Sequence, residues 1–213
     1  MKLSHSMNTA IILASMAVAP QVMAVELVVN GSFEEGRIAS GSYTINNAVT
    51  GWTRSTLAND GVASVGSGIE IQNNVAGAPA AGAGVQFAEL DSDGVTKIFQ
   101  DISTTAGSQY KLSFLFSPRP GVQSNIMNIN WGSQQVDTLT AAGGATTSWT
   151  SHDYILTATG ASTRLSFGNL SEKSDSYGSY VDMVSVQPVP VPAAVWLMGS
   201  GLLGLIGFGR RKA

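Results

Sequence analysis

Three charged residues fall where a β-strand would set them apart from its apolar positions. In Ile69-Glu70-Ile71-Gln72 the isoleucines alternate with polar side chains. A strand therefore places Glu70 and Gln72 on one face and both isoleucines on the other. The same rule sets Ala88 and Leu90 against Phe87, Glu89 and Asp91. Leu112, Phe114 and Phe116 are expected in a core, with Ser113, Leu115 and Ser117 on the other face and Arg119 just beyond them. If these strands are neighbours, Glu70, Glu89 and Arg119 meet on one sheet surface. Carboxylate and guanidinium groups hydrogen-bond sugar hydroxyls, and an aromatic ring can stack on the sugar. The alternative is a structural salt-bridge network. Among the aromatics, Trp52, Trp131, Trp149 and Tyr180 suit core or turn anchors. Tyr43 and Tyr177, in Gly/Ser-rich stretches, are the surface candidates for stacking.

Catalytic chemistry has little to work with. The chain has no cysteine, which excludes a disulfide framework, a thiolate metal site and a cysteine nucleophile. Beyond the N-terminal segment the one histidine is His152, and no Gly-x-Ser-x-Gly elbow is present. His152-Asp153 sits on an expected strand, so the two side chains point apart. Glu70 and Glu89 as the acid pair of a surface-bound hydrolase is a distant third reading. Asp91-Ser92-Asp93-Gly94 matches a fragment of a calcium loop without its distal acid. A plain Asp-Gly hairpin turn is the preferred reading there.

The elements that must position these residues are short strands. Leu27–Val29, Ile69–Gln72, Val85–Leu90, Lys97–Ile102, Tyr110–Ser117, Asn125–Trp131, Gln134–Leu139, Thr150–Thr157, Thr163–Gly168 and Ser179–Gln187 each carry strand patterning. No window reads as an amphipathic helix. Many short strands, abundant glycine and low charge point to an all-β, two-sheet antiparallel sandwich over residues 25–187. Ala76 to Gly84 reads only as a loop of small residues.

Charge narrows the partners. Lys2, Arg210, Arg211 and Lys212 lie in the terminal segments, so the central region holds 7 cations against 14 acids and a net charge near −7. Such a surface repels phosphate backbones, so no nucleic-acid partner is expected.

Both ends read as addresses. Residues 1–24 have the form of a secretory signal peptide: Lys2, then the apolar stretch Thr9–Ala19, then Val22-Met23-Ala24 with cleavage by signal peptidase expected after Ala24. Residues 188–213 combine Pro188, Pro190 and Pro192 with 16 uncharged residues from Ala193 to Phe208 and a basic end, Arg210-Arg211-Lys212. That apolar run is near the roughly 17–25 residues of a membrane span, and its basic end is expected to stay cytoplasmic.

The tail Val189-Pro190-Val191-Pro192-Ala193, its apolar helix and its basic end resemble the PEP-CTERM class of bacterial sorting signals, in the variant written VPLPA-CTERM. The resemblance implies an exosortase as processing partner. It also implies export across the inner membrane of a Gram-negative bacterium to the envelope, cell surface or a biofilm matrix. Leu27-Val28-Val29-Asn30-Gly31-Ser32-Phe33-Glu34, Gly51-Trp52, Gln86-Phe87-Ala88-Glu89-Leu90, Ser117-Pro118-Arg119-Pro120-Gly121 and Tyr180-Val181-Asp182-Met183-Val184-Ser185-Val186 are similar to galactose-binding-domain-like jelly rolls. More narrowly, they resemble a domain-of-unknown-function family of plant cell-wall and bacterial envelope proteins. That resemblance implies a jelly-roll fold and a carbohydrate-binding-like, non-catalytic module facing envelope or extracellular polysaccharide. A structural or adhesion protein that binds other proteins is the alternative. It also implies a structural Ca²⁺ held by Glu34 and Asp182, against the simpler reading of both as solvated or hydrogen-bonded turn residues.

Overall fold

Strands whose apolar residues recur every second position can bury one face, and two such sheets bury those faces against each other. The computed structural model describes residues 25–55, 67–170 and 175–190. Eleven strands run in order through them: β1 Ser42–Asn46, β2 Thr53–Arg54, β3 Ile69–Asn73, β4 Phe87–Glu89, β5 Lys97–Ser103, β6 Gln109–Ser117, β7 Asn125–Trp131, β8 Gln134–Ala141, β9 Thr150–Thr157, β10 Ser162–Asn169 and β11 Tyr180–Pro188. They form a six-stranded sheet, β1-β3-β4-β11-β6-β9, and a five-stranded sheet, β2-β5-β10-β7-β8. The named strand pairs are all antiparallel. This is an all-β jelly-roll sandwich, and Ala24–Val189 forms one compact unit.

The core lies between the sheets. Leu112, Phe114 and Phe116 of β6 face Met127, Ile129 and Trp131 of β7 and Leu165 and Phe167 of β10, all buried. Phe114 meets Phe167 edge-on at 5.0 Å, and Trp52 stacks on Phe33 at 5.3 Å. Each large side chain buried this way contributes about 1.5–3 kcal/mol.

Four local expectations change. Leu27–Val29 is not a sheet strand. Leu27 N donates to Val186 O at 3.0 Å, but Val29 pairs with the Gln100 side-chain amide through both its N and its O. An amide side chain thus replaces a ladder partner, and Asn30, at φ 52°, turns the chain away. The short strands β1 and β2 carry no strong alternation and are found only in the folded structure. Asp93-Gly94 is a turn, but not the tip of a hairpin. A single antiparallel bridge, Asp91 to Val95, closes it, and the chain then passes from β4 in one sheet to β5 in the other.

The fourth change is in β11. Its pairing with β6 shifts register between Asp182 and Ser185, a bulge in which Met183 adopts φ 49°. Val184 N leaves the ladder there and donates to Gly31 O at 2.8 Å. A side chain at Gly31 would collide with the Val184 carbonyl oxygen, which explains glycine at that position.

The signal peptide with its Ala24 cleavage site and the tail from Val191 onward lie outside the described residues. Of the sorting motif, Val189 is hydrogen-bonded to the sheet, its N donating to Gln109 O at 2.9 Å. Among the described residues no helix is long and apolar enough to cross a membrane.

Candidate functional site

Antiparallel register draws one row of side chains across the six-stranded sheet. Ile45 of β1 pairs with Glu70 of β3, Glu70 with Glu89 of β4, Glu89 with Tyr180 of β11, and Tyr180 with Ser117 of β6. Directly opposed residues share a face. That face is the outer one, and Arg119, two residues beyond Ser117, reaches back along it. The Arg119 guanidinium lies 2.6 Å from Glu89 Oε2. Its Nη1 also donates to Ser176 O at 3.1 Å, and its Cζ sits 4.5 Å from the centre of the Tyr177 ring. One row along, Gln72 pairs with Tyr43 and Phe87. Its Nε2 donates to Glu70 Oε1 at 2.8 Å and to Glu89 Oε2 at 2.6 Å. Gly178 N completes the shell of Glu89, donating to Oε1 at 2.6 Å.

These side chains form the floor of a depression of about 350 Å³. Glu70, Gln72, Arg119, Tyr43, Tyr177 and Asp93 line it, and Glu89 lies beneath. Tyr43 is 57% exposed and Tyr177 51% exposed, and Val75, also exposed, lines the same depression. The structure therefore brings four of the five residues singled out for ligand contact to the depression, and holds the fifth, Glu89, beneath it as the buried partner of Arg119. Burial pushes the Glu89 carboxyl up to about 9; the charge of Glu70 adds to this and Arg119 opposes it.

The polar face is less open than alternation alone implies. Glu70, Gln72 and Glu89 are buried. The reason is the segment between β3 and β4, which lies across the outer face as a strap. Trp149 Nε1 and Thr147 Oγ1 donate to Ala78 O, each at 2.9 Å, and Tyr180 Oη donates to Ala76 O at 3.2 Å. Beneath it Phe87 packs on Tyr180 at 4.7 Å and on Trp149 at 5.4 Å. The small residues from Ala76 to Gly84 allow that close approach. Gln72 shares the polar face in the sequence reading, but the structure adds its role as the bridge between the two carboxyls.

Glu34 and Asp182 form a second constellation. Glu34 Oε1 accepts from Val85 N at 2.6 Å and Gln86 N at 2.8 Å, at the end of the strap. A side chain at Gly84 would occupy the position of that carboxylate. Asp182 is fully buried in the β11 bulge; Met183 N donates to its Oδ1 at 2.6 Å, and its Oδ2 has no hydrogen-bond partner. Burial pushes Asp182 up to about 8, and the Glu34 charge adds to the rise against the Met183 hydrogen bond. A buried carboxylate oxygen without a partner is costly unless a proton or cation meets it. Two carboxylates supply oxygens of the kind a hard cation takes. Among the described residues no group of three or more His, Cys, Asp or Glu side chains is placed to hold a metal.

The remaining candidates separate. Asp91 Oδ2 accepts from Asp175 N, whereas Asp93 Oδ1 accepts from Ser67 N and Ser92 Oγ. The two acids thus bind different loops rather than one centre. His152 stacks on Phe114 at 5.4 Å, while Asp153 points out to Lys111 at 3.2 Å.

An antiparallel jelly roll with a walled depression on its outer sheet face is the class that fold and geometry define. The chain belongs to the family described as Protein of unknown function (DUF642), whose profile matches residues 26–187. Among curated proteins none matches. Among solved structures, the K1 cleaved adhesin domain of Lys-gingipain from Porphyromonas gingivalis W83 is similar at TM-score 0.52 and 12% identity, covering 79% of this chain and 99% of that one. A CBM61 module in complex with β-1,4-galactotriose gives 0.48 at 12% identity, covering 78% and 99%. A CBM4 module gives 0.47 at 16% identity, covering 76% and 99%. At such identities likeness is a matter of fold, and function must be argued from the site.

Proposed function

We propose that this is a non-catalytic, carbohydrate-binding-like module, exported and sorted to the cell envelope or extracellular matrix, where it meets polysaccharide. One observation carries the binding reading. Exposed Tyr43, Val75 and Tyr177 border a depression floored by Glu70, Gln72 and Arg119. A sugar needs both parts: apolar ring faces for its C–H surface and hydrogen-bonding groups for its hydroxyls. Catalysis fits poorly. Glu89 is fully buried beneath Gln72 and Arg119, so it has no path to a glycosidic oxygen.

Export and sorting rest on the terminal sequences: signal peptidase at Ala24, then an exosortase acting at Val189-Pro190-Val191-Pro192-Ala193. A Ca²⁺ ion held by Glu34 and Asp182 completes the proposal, as a support for the fold. It would satisfy Asp182 Oδ2 and tie the start of the domain to its last strand. The test of function is a glycan panel probed with the full-length chain, beside its Tyr177→Ala variant. Saturable retention that the variant loses is the expected result. Binding only to other proteins of the envelope would replace this reading with an adhesion scaffold.

A further inference from the structure

The charges that line the depression are unbalanced. Glu70 and Asp93 bring two carboxyl groups to it, and its one cation, Arg119, is paired with Glu89 buried beneath. Arg119 Nη1 is already engaged by Glu89 and by Ser176 O. Gln72 spends its amide protons on the two glutamates, and its Oε1 is buried without a hydrogen-bond partner. Arg119 keeps Nε and Nη2 as donors, but its charge is paired, and the two carboxyls of the lining face the ligand space. Arg119 covers one face of Tyr177, and Tyr43 adds an exposed ring whose face attracts cations.

Resting on the carbohydrate reading above, we infer that the depression selects a glycan bearing a free ammonium group, an amino sugar that is not N-acetylated. An ammonium supplies three donors and one positive charge in one small group, matching the two carboxyls of the lining, Glu70 and Asp93. A hydroxyl supplies a donor but no charge. N-acetylation removes the charge and adds bulk. A uronic acid brings a further negative charge to a region that already carries a net charge near −7.

Electrostatics agrees with this geometry. Hydrogen bonds at Ser67 hold the Asp93 carboxyl below the usual range, so it stays ionised. Burial first and the charge of Glu70 second push the Glu89 carboxyl up to about 9, so it keeps its proton at pH 6 and the charge a ligand meets comes from the lining of the depression.

The test is calorimetric titration of the full-length chain at pH 6 with β-1,4-linked tetramers of glucosamine, N-acetylglucosamine and glucose. A lysine-rich peptide is the fourth probe. The expected result is glucosamine tetramer binding about tenfold or more tighter than either neutral tetramer, the scale of one charge-assisted contact. Asp93→Asn, which keeps an acceptor oxygen for Ser67 N, should remove most of that preference while its melt still shows a cooperative fold. Asp153→Asn, which removes an exposed acid outside the depression, should leave the preference intact. Equal loss in both variants would make the attraction non-specific and overturn the inference. A neutral tetramer bound as tightly as glucosamine would also overturn it, leaving the carbohydrate reading in place. Binding of the peptide alone, or of no probe, would overturn both.

Discussion

Glu70 and Glu89 stand directly opposite each other on neighbouring antiparallel strands, joined through the Nε2 of Gln72. Like charges at opposed sheet positions destabilise a sheet. Here Arg119 and a retained proton offset the repulsion.

The pair makes stability depend on pH. Glu89 titrates near 9 in the folded protein, above the ordinary value of 4.5. The folded state therefore binds the proton more tightly than the unfolded chain. That contribution is complete below about pH 4.5 and is lost as pH rises through 9. Denaturant melts between pH 5 and 9 should show stability falling with pH, with a shallower fall in Glu89→Gln. Asp182, raised to about 8, adds a slope of the same sign.

Calcium should act on that second slope. A cation at Asp182 favours the ionised carboxylate, so added Ca²⁺ should flatten the loss of stability above pH 7. At a hundredfold excess over Kd the gain is about 2.7 kcal/mol. Thermal melts after chelation and after calcium addition check this, and Asp182→Ala should abolish the rise in Tm.

Gly31 tests the β11 bulge. A methyl group there would press on the Val184 carbonyl, which belongs to the bulge that presents Asp182. Gly31→Ala should cost about 2–4 kcal/mol by strain and broken backbone pairing. Equilibrium unfolding measures the loss, and calcium stabilisation should weaken with it.

Processing of the tail is checked by intact mass. Protein recovered from the cell surface should lack both the signal peptide and the apolar, basic C-terminal segment. Recovery solely of chains that end at Ala213 would contradict exosortase sorting.

Much of the sandwich was legible because strand alternation is a local property. Leu112, Phe114 and Phe116 alternate with Ser113, Leu115 and Ser117, and the first three are buried in the core. Glu70 and Glu89 could be put on one face for the same reason. What escaped depends on partners distant in sequence. Val29 looks like a strand residue until Gln100, 71 residues away, takes its backbone hydrogen bonds. Asp93-Gly94 has hairpin chemistry, yet the strands beside it belong to different sheets. The strap from Ala76 to Gly84 has no periodicity, so its role appears only when Trp149 and Tyr180 hydrogen-bond to it.

The central claim is that the tyrosine-bordered depression binds carbohydrate. Its most direct measurement is retention of the full-length chain on extracellular polysaccharide of the producing cells, paired with a thermal melt, for wild type and Tyr43→Ala/Tyr177→Ala. Both rings are exposed, so the double variant should melt within about 1 kcal/mol of wild type. The account predicts retention by wild type and its loss in the variant, by roughly 1–3 kcal/mol of binding for the removed rings. Equal retention of both proteins, or none by wild type, would contradict it.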